Sequence, residues 1–180
     1  MPIIEGALRP EVTNRFGRQV EVNGITLQSV IDLAADNDVI YMKPGAYAEV
    51  VTIPATRKKL TIIGEGGRGA VFIQATTNGI ALTNHSDDLT LINVGLEGQG
   101  TGGGLVNTGQ RFRAYGCKIE GGAEACKMTL GTVAQIAALT RGKGADCWLV
   151  DCEFCWSTRG VKIEASDYGA VTQCRFRGCT

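Results

Sequence analysis

The sequence predicts an all-β fold: a right-handed, single-stranded parallel β-helix with an N-terminal amphipathic capping helix. Three observations predict it: a short apolar pattern that recurs, glycines that fall between its segments, and one helical stretch ahead of the first repeat. The pattern is an inward-facing pair, a two-residue gap and a second inward pair. It reads Leu89-x-Leu91-x-x-Val94-x-Leu96, then Phe112-x-Ala114-x-x-Cys117-x-Ile119, then Cys147-x-Leu149-x-x-Cys152-x-Phe154, and finally Val171-x-x-Cys174-x-Phe176. Its second pairs begin at 94, 117, 152 and 174, in steps of 23, 35 and 22 residues. Ahead of each block lies another alternating pair: Ile80/Leu82, Leu105/Asn107, Cys126/Met128 and Val161/Ile163.

Three short period-2 strands per repeat, parted by tight bends, do not fit ordinary hairpins, which need longer strands and regular two-residue reversals. Coiling the chain solves the problem. Each strand then pairs with its equivalent one turn later, about 4.8 Å away, and alternate side chains fill a continuous interior. The chain has 25 glycines in 180 residues, nearly twice the roughly 7% of average usage. With four prolines and no Ser/Gly tract, they belong to folded turns and not to a linker.

In chain order, residues 1–24 form an arm with apolar Ile3, Ile4, Leu8 and Val12 outside the repeat, and residues 25–180 form the β-helix. Thr26 caps a helix whose Leu27, Val30, Ile31 and Ala34 share one face, ending at Asn37-Asp38. A helix in this place covers the exposed edge of the first coil. Ile40/Met42, a turn at Lys43-Pro44-Gly45, then Val51/Ile53, Leu60/Ile62 and Val71/Ile73 supply the opening turns. The 35-residue step implies an inserted loop at about 129–144, apolar at Val133, Ile136 and Leu139.

The 18 basic and 18 acidic residues cancel, which argues against nucleic acid as a partner. The longest apolar run is far too short to span a bilayer, and the start lacks the features of a signal peptide. The protein is therefore expected to fold in a cytoplasm. Seven cysteines (117, 126, 147, 152, 155, 174 and 179) in such a chain read as reduced thiols. Cys152-Glu-Phe-Cys155 has the spacing of a zinc half-site, but no second C-x-x-C exists and His85 is the sole histidine. Neither metal nor cofactor is expected. Gly102-Gly103-Gly104 is followed by no Gly-Lys-Ser/Thr and is not a phosphate loop.

The stretch from Thr26 to Asp36, then Val39-Ile-Tyr-Met-Lys-Pro-Gly-Ala-Tyr-Ala-Glu, then Leu60-Thr-Ile-Ile-Gly-Glu-Gly, resembles the start of pectin-lyase-like β-helices. That superfamily includes pectin methylesterases, pectate lyases, polygalacturonases and bacteriophage tailspikes. The resemblance covers about residues 25–98 well and later turns by pattern. It implies the fold and leaves activity open, because the superfamily hosts both enzymes and scaffolds. Its esterases carry a glutamine, paired aspartates and an arginine on the following turns. Here that region reads Leu96-Glu-Gly-Gln-Gly-Thr-Gly-Gly-Gly and Cys117-Lys-Ile-Glu-Gly-Gly, without the Asp-centred motifs.

Register places Glu97 and Glu120 one coil apart on an outward column, near the roughly 5 Å carboxylate spacing of retaining glycosidases. They are the catalytic candidates if the protein is an enzyme; the bland alternative is a pair of solvated acids beside Lys118. Trp148 faces outward and, with Trp156, Ile3, Ile4 and Leu8, forms the expected interface. His85 lies in a polar turn. The arm, the tryptophans and the chain's end after a strand together lead to the expected function: a non-enzymatic structural protein of a bacteriophage particle. It would be a capsid decoration (cement) protein or a spike, attached through the arm to a larger capsid or tail protein as a homotrimer, with a host glycan as a further possible ligand. The alternative is a carbohydrate-active enzyme (glycan hydrolase, lyase or esterase) or a tailspike acting on host surface polysaccharide.

Overall fold

The computed structural model describes residues 19–22, 26–122, 124–129, 146–164 and 169–179. Ile3, Ile4, Leu8 and all but the first residue of the expected 129–144 loop lie outside the described residues. Sheet A contains β1 (Gln19–Val22), β2 (Val39–Met42), β5 (Thr61–Gly64), β8 (Thr90–Ile92), β11 (Arg113–Tyr115), β14 (Cys147–Val150) and β17 (Gly169–Thr172). Sheet B contains β3 (Gly45–Ala48), β6 (Val71–Gln74), β9 (Val94–Glu97), β12 (Lys118–Glu120), β15 (Glu153–Cys155) and β18 (Arg175–Arg177). Sheet C contains β4 (Val51–Ile53), β7 (Leu82–Asn84), β10 (Leu105–Asn107), β13 (Glu124–Thr129) and β16 (Arg159–Glu164). Every pairing is parallel and joins a strand to its equivalent one coil later. The protein is a parallel β-helix.

The expected inward residues fill its interior. Ile40, Met42, Val51, Ile53, Leu60, Ile62, Val71, Ile73, Leu91, Leu96, Ile119 and Phe154 are all fully buried. Ala114 pairs with Leu149 across the 35-residue step, so the extra residues lie between β13 and β14. Phe176 stacks on Phe154 with ring centroids 5.2 Å apart, yet remains 54% exposed on the last described coil. Cys117 and Cys152 are buried and Cys174 is half-buried; all seven thiols are free. Among the described residues, no helix is long and apolar enough to cross a membrane.

Three features differ from the sequence reading. Residues 19–22, assigned there to the arm, form β1 and extend sheet A in register with β2; their Val/Gln/Glu alternation is too short to stand out. Gly45, read as the end of a turn, begins a sheet B strand that runs to Ala48 and pairs with β6. The inward pair ahead of Leu89 is Leu82/Asn84 and not Ile80/Leu82, because Leu82 pairs with Leu105 and Asn84 with Asn107. A polar residue at an inward position hid that register. Asn84 and Asn107 are fully buried and hydrogen-bond directly, Asn84 Nδ2 donating to Asn107 Oδ1 at 2.6 Å.

The helix α1 spans Leu27–Leu33 and buries Leu27, Val30 and Ile31. Thr26 caps it, its side-chain oxygen accepting from Ser29 N at 3.2 Å. Ala34, not Asn37-Asp38, ends it as C-cap; Asn37 adopts positive φ just beyond. Glu49, directly after β3, supplies a second cap: its carboxylate accepts from Leu27 N at 2.8 Å and Gln28 N at 3.1 Å. Arg57 closes the other end by donating to Asp32 O at 2.6 Å. Two side chains thus staple the helix to the first coil. Glu49→Ala is expected to lower stability by about 1–2 kcal/mol, read from the denaturant midpoint. An unchanged midpoint would show the staple to be energetically idle.

Candidate functional site

Sheet B presents two outward columns. One runs Phe72, Gly95, Lys118, Glu153, Arg175, and the other Gln74, Glu97, Glu120, Cys155, Arg177. Glu97 and Glu120 therefore are neighbours on adjacent strands, as expected from sequence. Each is already engaged. Glu97 Oε2 accepts a hydrogen bond from Gln74 Nε2 at 2.5 Å. Lys118 Nζ forms an ion pair with Glu120 Oε2 at 2.8 Å. The same ammonium lies 5.2 Å from the centroid of Phe72, and Glu120 raises its pKa above the ordinary lysine value. Glu153 pairs with Arg177 at 3.0 Å.

The other singled-out residues are dispersed. Trp148 faces outward from sheet A beside Arg113 and is 45% exposed. Trp156 is far from that face: it follows β15, at the bend from sheet B to sheet C. The structure does not join the two tryptophans into one surface. His85 Nδ1 is 2.7 Å from Thr108 Oγ1. Cys152 and Cys155 are both buried, but Cys155 stands in the outward column; among the described residues no cluster of His, Cys, Asp or Glu could hold a metal ion. Burial pushes the Cys147 thiol up to about 11, and the Cys117 thiol beside it together with burial drives Cys152 far up. These thiols are poor nucleophiles.

What the sequence reading missed is a groove at the bend from sheet B to sheet C, with a volume of about 570 Å³. Asn78, Gly79 and Ile80 line it from one coil, Thr101, Gly102, Gly103 and Val106 from the next, and Glu124 and Lys127 from β13. Successive bends press backbone on backbone to build its wall. A Cβ on Gly102 would lie 2.1 Å from Gly79 O, and one on Gly122 would lie 1.7 Å from Gly102 O. Glu124, 18% exposed, is fixed by two cations: Oε1 is 3.0 Å from Arg159 Nη1 and 3.2 Å from Lys162 Nζ. Lys127 stands three residues further along the same strand, paired with Lys162. The arrangement offers an oriented carboxylate, a cation, amide and hydroxyl groups, and an apolar floor of Ile80 and Val106. Glu97 and Glu120 lie at the ends of the strands entering these bends, a few residues before Thr101 and Glu124.

No protein-family model and no curated protein matches this sequence. Solved structures do match in shape. The crystal structure of the pectin methylesterase from Aspergillus niger in deglycosylated form aligns with a TM-score of 0.56 at 18% identity, covering 88% of this chain and 55% of that one. The same enzyme in a penultimately deglycosylated form aligns at 0.50 and 16% identity, over 86% and 64%. This chain thus spans less than two thirds of their length. The shared fold is a right-handed parallel β-helix. The expectation of a non-enzymatic bacteriophage component is corrected here. The similar structures are those of enzymes, and nothing observed points to a virus particle. The sequence reading had weighed the chain's end and its apolar arm as signs of a particle, and neither feature is tied to one.

Proposed function

We propose that the protein is a carbohydrate-active enzyme, with a glycan lying in the groove and Glu124 as the reacting carboxylate. The observation that carries this reading is Glu124 itself: a largely buried acid on the groove wall, oriented by Arg159 and Lys162. The groove's volume falls within the roughly 300–1,000 Å³ of ligand sites, and its mix of amide, hydroxyl and apolar lining suits a sugar's alternating polar and apolar faces. Glu124 would act as base, taking a proton from the water that attacks an ester carbonyl and returning it to the alcohol oxygen as the ester C–O bond breaks, while Lys127 steadies the negative charge that develops on the carbonyl oxygen. The likeness to pectin methylesterase makes pectin the first substrate to try.

The test is product release from pectin, polygalacturonate, xylan and cellulose, reading reducing ends and released methanol or acetate. Glu124→Gln is expected to lower turnover by about 10²–10⁴-fold. Wild type without activity on any of these would refute the proposal. The in-register Glu97 and Glu120 favour a second arrangement, a two-carboxylate glycosidase on the sheet B face. Loss of activity in Glu97→Gln and Glu120→Gln, with Glu124→Gln unaffected, would move the chemistry there.

A further inference from the structure

We propose that Trp156 is a sugar-stacking platform at one end of the groove, an inference that rests on the glycan reading above. The bends from sheet B to sheet C stack in register. Gly98 N donates to Glu120 O at 2.9 Å, Gly121 N to Cys155 O at 3.3 Å, and Trp156 N to Arg177 O at 3.0 Å. Trp156 therefore occupies, one coil on, the place held by Gly121 and before it by Gly98. The groove is lined by the bends at 78–80 and 101–103 and by Glu124, which follows the bend at Gly121 and Gly122. The next bend along the axis, about 4.8 Å further, is the one that carries the indole.

The ring is both supported and open. A Cβ on Gly178 would lie 2.8 Å from Trp156 Cε3 and 3.1 Å from Cζ3, so the indole rests against the backbone of the following coil. On the preceding coil stand Gly121 and Gly122, which have no side chains to cover it, and Trp156 is 72% exposed. It also holds a left-handed backbone conformation, φ 52°, which costs free energy for a bulky residue. A rigid, amphipathic ring with one free face beside a polar groove is the geometry by which an aromatic side chain takes the apolar face of a pyranose. A groove of three coils would then hold the scissile unit and its neighbours, and the indole would grip a unit beyond them.

The experiment uses the full chain with Trp148→Phe, so that emission reports Trp156 alone. It is titrated with oligogalacturonides, free and methyl-esterified, and with xylo- and cello-oligosaccharides, of two to eight units. One series is expected to shift the Trp156 emission and to gain affinity with length. By isothermal titration calorimetry, Trp156→Ala should cut that gain by about five- to ten-fold, and Trp156→Phe should keep most of it. Circular dichroism confirms that each variant is folded. Emission that no series shifts, or a length dependence unchanged in Trp156→Ala, overturns the platform; a change in oligomeric mass instead would make the indole a protein interface. Turnover by Glu124→Gln is scored separately. Binding lost with Trp156 while wild type shows no catalysis keeps the platform and sinks the enzyme; the converse keeps the enzyme and sinks the platform.

Discussion

Asn107→Ala is expected to destabilise the protein by about 3–5 kcal/mol. Asn107 is fully buried in the middle of sheet C. Its Nδ2 donates to Gly109 O at 2.9 Å, and its Oδ1 accepts from Asn84 Nδ2 at 2.6 Å. Asn84 in turn donates to Ser86 O and accepts from Ser86 N. These amides supply the carbonyl and N–H groups of the bends leaving sheet C with partners that the coil ladder does not reach. Truncation leaves Gly109 O without its side-chain donor, at about 1–3 kcal/mol, and opens a cavity as well. Chemical denaturation gives the number. A loss under about 1 kcal/mol would mean that water replaces the amide and that the ladder is dispensable.

Gly122→Ala is expected to cost about 2–4 kcal/mol and to depress turnover in the same variant. Gly122 has φ 71°, and a Cβ there would lie 1.7 Å from Gly102 O. That carbonyl is backbone and cannot swing aside, so the bends that form the groove wall must part. Gly67→Ala is the control. Gly67 also has positive φ, at 87°, but a Cβ there meets nothing within 4 Å; only the backbone penalty of about 1 kcal/mol remains. Melting curves and the glycan panel, run on both variants, separate conformational strain from the clash. Equal losses in the two would show that the groove does not depend on the close approach of the bends.

The fold was legible because the interior is written in apolar alternation. Leu91, Leu96, Ile119 and Phe154 each announce an inward face, and the 22- and 23-residue steps announce the coil. The ladder escaped detection at Asn84, where an inward residue is polar and the hydrophobic pattern falls silent. The groove escaped for a different reason. Asn78, Thr101 and Glu124 share no motif in sequence; they converge only because bends of unequal length stack on one corner. Register did place Glu97 beside Glu120, since strand alternation alone decides that. It could not show that Gln74 and Lys118 already engage them. Trp156 was flagged for its exposure, but its backing by Gly178 is a contact between coils, which no local pattern encodes.

Among the described residues, each strand pairs only with its equivalents on the coils to either side. The groove draws on consecutive bends, with its lining complete at Lys127 and the cations that fix Glu124 supplied by the next sheet C strand, so its assembly proceeds from one coil to the next. Such a site can form progressively as the coils are laid down, in the manner of a zipper. Length and chemistry are also separable. On the proposed glycan reading, adding or deleting a whole coil beyond β16 would change how far the cleft extends along a polymer while leaving Glu124 and its two cations in place, giving natural variation a way to retune chain-length preference without rebuilding the proposed reacting centre.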